Sequence, residues 1–330
     1  MNTGEIHEKE RFLGTMLGKK VDRFPYYDLD PAPETLERWR EEGLPEDATV
    51  ADFFGLERHR SVGVTLRSYP YYKGAPDILR DPSTFSRYYD LDHEDRFLDG
   101  FAERGDHLNK TGRVLYVEAS GGGLLQMLGV HDWESMLDAM YALVEKPRQI
   151  EQLVDKTTDF YCLCLERVLS RVPVDYASFY EPIASNKGPV ISPAMFERYA
   201  MPGYRKVLAV IDKYDIPLRI FCTTGGNLSS LLPPLIEAGM NALWISNIQS
   251  SRMKYSALRK TYGREIALIG GVDSNALGQG PDEVRRAVME TVPELLEGGR
   301  YLPCLDDRPR ANIPFERYRQ FRRLLVEISS

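Results

Sequence analysis

Long apolar runs, cysteine-rich segments and an excess of basic residues are all missing from this chain of 330 residues. No apolar stretch approaches the roughly 20 residues with which a helix crosses a bilayer. The polar, charged start of the chain, MNTGEIHEKERF, lacks the apolar centre of a secretory signal. Four cysteines do not make a disulfide framework. We therefore expect a cytoplasmic protein that does not enter a membrane.

Basic residues do not outnumber acidic ones, since 42 Lys and Arg stand against 49 Asp and Glu and give a net charge of −7. A nucleic-acid surface depends on a concentrated basic patch that releases counterions, and the sequence pattern shows none. We therefore expect no nucleic-acid partner. The 43% of hydrophobic residues suffices for one sizeable core, so we expect a single domain over residues 1–330.

What the sequence does contain, from about residue 110 onward, is a regular alternation of short apolar runs and longer helical segments. The predicted strands are 114–118, 176–180, 218–222, 242–246, 266–270 and 300–304, and the predicted helices are 133–144, 147–168, 193–213, 228–238, 255–262, 281–296 and 315–328. Repeated strand–helix units indicate parallel strands with crossover helices. Such a chain closes into a (β/α)8 barrel or forms an open doubly wound sheet. No GxGxxG motif follows the first predicted strand, which disfavours an open sheet that binds a dinucleotide.

The segment before this alternation is less regular. Residues 3–17 and 33–42 predict helices, the second ending at Gly43 and Pro45. Residues 61–69 alternate weakly between apolar and polar, and they predict a β-hairpin insertion with residues 87–91. The expected fold is therefore an α/β barrel with an N-terminal helical segment and this insertion.

Carboxylates directly after apolar runs are the first candidates for chemistry, because active sites of α/β barrels gather at the C-terminal ends of the strands. The candidate acids and bases are Glu181, Asp306, Asp307 and Asp28. Carboxylates that meet in a barrel mouth raise one another's pKa and can serve as general acid or base. The alternative is that they cap the following helices or pair with arginines such as Arg308.

Aromatic and polar residues at the same strand ends predict a substrate pocket. Tyr26 and Tyr180 offer rings with hydroxyl groups at their rims, and Glu118 and Asn247 follow predicted strands. A methoxylated aromatic or a similar apolar molecule would suit such a pocket. The alternative is that the tyrosines are ordinary packing residues.

Two cysteines, Cys222 and Cys304, each end an apolar run. Thiolate sulfur is a soft ligand for zinc, and Glu181 or Asp306 could be a third ligand. The alternative is that both cysteines are small buried apolar residues. None of the five histidines follows a predicted strand, which disfavours a His-based metal site or a catalytic triad.

Short phrases along nearly the whole chain resemble, in order, the uroporphyrinogen decarboxylase superfamily. They include EKERFL at 8–13, VDRFP at 21–25, GPVISPAMF at 188–196, IEAGM at 236–240, ALIGGVD at 267–273 and GGRY at 298–301. This superfamily contains the decarboxylase itself and zinc-dependent methyltransferases that work with corrinoid proteins. The resemblance implies a TIM barrel, and it is compatible with a homodimer, since dimers are common in the superfamily.

The chain departs from the superfamily at two motifs. The decarboxylase has an Arg-rich RQAGRY motif for the porphyrinogen carboxylates, where this chain has FPYYDLDP at 24–31. The methyltransferases have a His-x-Cys zinc pair and a later cysteine; here no His accompanies Cys222, while Cys304 corresponds to the later cysteine. The resemblance favours a methyltransferase, and together with the residue types at the strand ends it leads us to expect a zinc site of Cys304, Cys222 and Glu181. Cobalamin would be carried by a partner protein, because the chain has no DxHxxG motif.

Three hypotheses follow. The first is an enzyme that transfers a methyl group between a small substrate and a corrinoid protein or a thiol. The second is a metal-free decarboxylase or other lyase that acts on a small molecule other than a porphyrin. The third is a binding protein without catalytic activity.

Overall fold

Seven short strands form one curled parallel sheet, and the helices of the repeated units pack on its outer face. The computed structural model describes residues 6–62, 90–92, 97, 100–119, 123–130, 132–185, 187–223, 225–248 and 253–329. The sheet order is β1 (His59–Ser61), β2 (Val114–Glu118), β3 (Tyr176–Tyr180), β6 (Leu218–Thr223), β7 (Ala242–Ile245), β8 (Ala267–Ile269) and β9 (Tyr301–Leu302). Strands β4 (Ala184–Ser185) and β5 (Gly188–Pro189) form a separate antiparallel pair.

The helices follow the strands in the order that crossover connections require. They are α1 (Glu8–Met16), α2 (Pro33–Glu41), α3 (Val50–Phe54), α4 (Phe101–Lys110), α5 (Leu124–Met127), α6 (Trp133–Glu145), α7 (Pro147–Leu169), α8 (Pro193–Met195), α9 (Met201–Lys213), α10 (Leu232–Glu237), α11 (Tyr255–Tyr262), α12 (Pro281–Gly298) and α13 (Phe315–Ser329). A 3-10 turn covers Ser274–Gly278. Within this described part, no helix is long and apolar enough to cross a membrane.

Alternate residues of each strand point to opposite faces of the sheet, and this alternation builds two apolar cores. The inner core contains residues two apart on one strand, such as Leu218 and Ile220, whereas their neighbour Phe221 packs in the outer core with the helices. Helix α1 inserts Phe12 and Met16, both fully buried, into the inner core. This helix therefore fills the inside of the curled sheet.

The sheet is TIM-barrel-like but is not closed among the described residues, where β1 and β9 each pair with one neighbour. The extended segment that contains Tyr26 and Tyr27 lies beside β1. The N–H of Glu57 donates to the carbonyl of Tyr26 at 2.7 Å, and the Tyr27 ring stacks on His59 at 4.4 Å. The expected closed barrel of eight strands is therefore confirmed only in part, since the described residues form a curled parallel sheet of seven strands.

Most predicted elements of the second half of the chain are confirmed within one or two residues at each end. The predicted helix 193–213 is instead interrupted by a π-helical turn, Phe196–Ala200. Pro202 has no N–H to donate to the preceding turn, which accounts for irregular hydrogen bonding there. The predicted hairpin lies mostly outside the described residues; Ser61, which it included, belongs to β1 and pairs in parallel with β2.

Candidate functional site

A cavity of about 350 Å³ opens at the C-terminal ends of β2, β3, β6 and β7. Its described lining consists of Tyr27, Leu29, Tyr116, Glu118, Gln126, Tyr176, Ser178, Tyr180, Cys222, Thr223, Trp244 and Ser246. The position matches the end of an α/β barrel at which catalytic residues gather. A larger groove of about 590 Å³ lies between α7 and α9, on the outside and away from the strand ends.

Five of the twelve residues in the described lining are aromatic, and we call this cavity at the strand ends the mouth cavity. Tyr116 and Tyr176 are neighbours in the β2–β3 register, and their rings stack with centroids 4.9 Å apart. On another side, Tyr27 meets Trp244 edge to face at 5.6 Å. Rings held by such contacts form a rigid apolar surface against which a flat or methylated molecule can pack.

Glu118 is the single charged side chain among the described residues that line the mouth cavity. The hydroxyl of Tyr116 donates a hydrogen bond to its carboxylate. Burial raises the pKa of Tyr116, and the negative charge of Glu118 raises it further. Tyr116 therefore keeps its proton at neutral pH. The Tyr116–Glu118 pair therefore offers one carboxylate, oriented by a hydroxyl donor, in an aromatic cavity.

Cys222 faces the mouth cavity from β6. Its sulfur lies 3.6 Å from the hydroxyl oxygen of Ser178 on the neighbouring strand. Burial raises the pKa of this thiol to about 12, despite the hydrogen bond with Ser178, which acts in the opposite direction. The side chain is therefore a neutral thiol at physiological pH, which makes it a weak nucleophile on its own.

His59 lies below the rings of the mouth cavity, in the interior of the sheet. Its Nδ1 is 3.1 Å from the hydroxyl of Tyr176, and its ring packs against Phe12. Burial lowers its pKa to about 3, so the imidazole is neutral. Sequence reasoning missed this residue because it considered residues after predicted strands, whereas His59 begins a strand that was placed two residues later.

We expect the His59→Gln variant to lose less stability on acidification than the natural chain. The folded pKa lies below the ordinary value of 6.5, so the unfolded chain binds a proton that the folded chain refuses. This contribution to stability is complete above pH 6.5 and declines as the pH falls toward 3. Urea unfolding at pH 6.5 and 4.5 would show a difference of about 2 kcal/mol between the two proteins. The exposed His107→Gln control should behave like the natural chain; equal pH dependence in all three would contradict the expectation.

Glu181 does not line the mouth cavity, although it directly follows Tyr180, which does. It is fully buried on the helix side of the sheet and accepts hydrogen bonds from the N–H groups of Leu124 and Leu125 at 2.8 and 3.0 Å. The hydroxyl of Tyr204 donates a third bond at 2.6 Å. Burial outweighs these bonds and raises the pKa of Glu181 to about 7. The structure thus places it as an anchor for the start of α5.

Asp28 is also buried outside the described lining of the mouth cavity. Its carboxylate accepts hydrogen bonds from the hydroxyl of Tyr318 at 3.1 Å and from the N–H of Leu29 at 3.0 Å. Burial raises its pKa to about 7, and the charge of Arg322 opposes that shift. These contacts connect the segment before α2 to helix α13.

Asp306, Asp307 and Asn247 lie close together and are not part of the described lining of the mouth cavity. The carboxylate of Asp307 accepts from the side-chain amide of Asn247 at 3.0 Å and pairs with Arg310. The carboxylate of Asp306 accepts from the N–H of Ser274 at 3.0 Å, and burial raises its pKa to about 6. This group ties the end of β7 to the loop after β9.

Tyr26 points away from the mouth cavity. Its hydroxyl lies 2.6 Å from the side-chain oxygen of Ser329, and the guanidinium of Arg23 lies 3.9 Å from the centre of its ring. Its neighbour Tyr27 takes the place in the cavity wall. Of the four residues predicted to bind substrate, the cavity therefore brings together Glu118 and Tyr180.

The comparison with family models shows which protein family the chain belongs to. Residues 124–302, more than half of the chain, match the model described as Uroporphyrinogen decarboxylase (URO-D). The chain belongs to the uroporphyrinogen decarboxylase family. The search of curated proteins gives no match. The matched range includes β3, β6 and β7, which carry Ser178, Cys222 and Trp244, whereas Tyr116 and Glu118 precede it.

The zinc ligands expected in part of this superfamily do not come together among the described residues. No group there of three or more His, Cys, Asp or Glu side chains is placed to hold a metal ion. Cys304 is fully buried in the inner core and Cys222, which lines the mouth cavity, packs against that same core, whereas Glu181 lies on the helix side of the sheet. Burial holds the pKa of Cys304 well above its usual value, so this side chain is a neutral thiol in the metal-free chain. The described residues therefore do not fit the expected site, and no chemical step below depends on it.

Proposed function

We propose that this member of the uroporphyrinogen decarboxylase family is a methyltransferase whose methyl donor is a small, uncharged or cationic molecule bound in the mouth cavity. The observation that carries this proposal is the composition of the wall. Five aromatic residues and one carboxylate, Glu118, belong to the described lining, and no Lys, Arg or His does.

The negative charge of the described cavity lining favours this proposal over decarboxylation of uroporphyrinogen, whose carboxylates it would repel. A substrate with many carboxylates needs guanidinium or ammonium groups in its binding site, because unpaired charges are costly to remove from water. The described lining would instead repel such a substrate through Glu118. An aryl methyl ether or a methylated amine can stack on the rings of Tyr116 and Trp244 and keep its polar atom near the carboxylate.

In the proposed reaction, the bond between the methyl carbon and the donor's heteroatom breaks, and its electron pair stays on the heteroatom. A corrinoid carried by a partner protein would supply the nucleophile that accepts the methyl group. Glu118, when protonated, delivers its proton to the departing oxygen of an ether, and the hydroxyl of Tyr116 holds the carboxyl group in position.

A product assay tests the proposal. The protein is incubated with reduced free cobalamin as the methyl acceptor and with methoxybenzene, its 4-carboxylate or N,N-dimethylaniline as the donor. We expect demethylated products from the two donors without a carboxylate, and at least about tenfold slower turnover of the 4-carboxylate, whose charge would meet no cation in the described lining.

The same assay distinguishes the two other hypotheses. A metal-free lyase would release carbon dioxide from the carboxylated compound and leave the methyl group in place. A binding protein would bind one of the compounds without any product. Either outcome would contradict methyl transfer, and so would faster turnover of the carboxylated donor.

A further inference from the structure

A second cavity, of about 310 Å³, lies at the opposite, N-terminal end of the strands. We call it the basal cavity. It lies between the turn after α1, the α12–β9 loop and the end of α13. Its described lining consists of Thr15, Gly18, Lys19, Val21, Arg23, Phe24, Arg264, Leu296, Gly299, Arg300, Tyr301, Ile328 and Ser329. Four of these side chains are cationic, and no Asp or Glu is among them.

The central cation, Arg300, satisfies its guanidinium with neutral groups alone. It donates to the carbonyl oxygens of Met16 at 2.8 Å and Glu265 at 2.9 Å, among other carbonyls. Arg259, directly behind it, likewise donates to carbonyl oxygens, including that of Arg300 at 3.2 Å. Burial, and then the charges of Arg300 and Arg264, lower the pKa of Arg259, so the positive charges repel one another.

Of the three other cationic side chains in the basal cavity, one forms an ion pair with a carboxylate and two do not. Arg23 pairs with the buried carboxylate of Glu57 at 3.0 Å. Lys19 and Arg264 form no ion pair with a carboxylate in the described part of the chain, and neither does Arg300. Charge of one sign in a concave site attracts a counterion of the opposite sign.

We propose that the basal cavity binds a small polyanion, a molecule with a phosphate group or with two or more carboxylates. Guanidinium groups such as that of Arg264 can bind either group through two parallel hydrogen bonds, and Lys19 adds a mobile ammonium at the other wall. The bound anion joins the turn after α1 to the loops before β8 and β9, so binding stabilises the fold. This site is independent of methyl transfer, because it lies at the other end of the strands from Glu118.

Calorimetric titration and thermal unfolding test the proposal, with pyrophosphate and citrate as probes and acetate as the monovalent control. Ionic strength is kept constant with sodium chloride, because exposed charges are screened by salt. We expect saturable binding of pyrophosphate or citrate at one site and a rise of at least about 2 °C in the melting temperature at saturation. The probe that binds more tightly tells a phosphate site from a polycarboxylate site. Equal small shifts with all three anions would overturn the proposal.

Variants locate the binding. Lys19→Gln and Arg264→Gln each remove an exposed cation from the wall, and Lys20→Gln removes the same charge from the neighbouring exposed position, which is not part of the described lining. We expect the first two to weaken binding at least about fivefold and the third to change it less than twofold. Equal weakening by all three variants would assign the effect to net charge and refute a defined site.

Discussion

Replacing Glu118 with Gln is expected to lower the rate of methyl transfer by about 100-fold or more, with little change in the melting temperature. A positioned general acid contributes roughly 10²–10⁴-fold to a reaction in which a proton moves. Gln keeps the size of the side chain, and its amide oxygen can still accept the hydrogen bond of Tyr116. Its amide group is not acidic, however, so it cannot transfer a proton to the leaving group. Single-turnover rates with methoxybenzene measure the chemical step apart from substrate binding.

Two controls define that result. Glu134→Gln removes an exposed carboxylate of α6, outside the mouth cavity, and should keep the full rate. The second control is a different donor, the N,N,N-trimethylanilinium cation. With this donor Glu118→Gln should lower the rate less, because the departing group is neutral N,N-dimethylaniline, which needs no proton. A rate within threefold of the natural protein for the ether would remove Glu118 from the proposed chemistry.

Replacing Glu181 with Ala is expected to destabilise the fold by about 3 kcal/mol or more, because it leaves buried donors without an acceptor. Those donors are the N–H groups of Leu124 and Leu125 and the hydroxyl of Tyr204. Leu124 and Leu125 directly precede Gln126, a residue of the mouth cavity in the same helix, so loosening α5 should also weaken substrate binding. Urea unfolding at pH 6 measures the loss.

The pH dependence of this loss has a defined sign. Burial raises the pKa of Glu181 from 4.5 to about 7, so the folded chain holds a proton that the unfolded chain releases. The natural protein therefore loses part of its stability as the pH rises from about 4.5 to 7, and the Ala variant lacks that slope. Glu290→Ala, at an exposed position of α12, is the control and should change the free energy of unfolding by less than about 0.5 kcal/mol. A similarly small change for Glu181→Ala would contradict the anchoring role.

The parallel sheet could be predicted from the sequence because buried strands between helices carry a strong local pattern. The run 114–118 ends where the structure ends β2, and 255–262 coincides with α11. The sheet edges depend instead on contacts across the chain. Tyr26 and Tyr27 lie beside β1 through the backbone of Glu57, a contact that no local pattern predicts.

The candidate site was predicted in part, and the reason lies in the two-residue period of a strand. Tyr180 and Cys222 face the mouth cavity, whereas Glu181, one position after Tyr180, faces the helices. A polar residue after a strand thus points to either side depending on a shift of one residue. Applying the same period backwards along the strands would have indicated Tyr176 and Trp244, which lie inside strands rather than after them.

The central claim is that the mouth cavity holds the methyl donor beside Glu118. A crystal structure of the protein with bound methoxybenzene tests it most directly. The ligand is expected between Trp244 and Tyr116, with its oxygen within hydrogen-bonding distance of the Glu118 carboxyl group. A ligand bound in the outer groove between α7 and α9, with the mouth cavity empty, would contradict it.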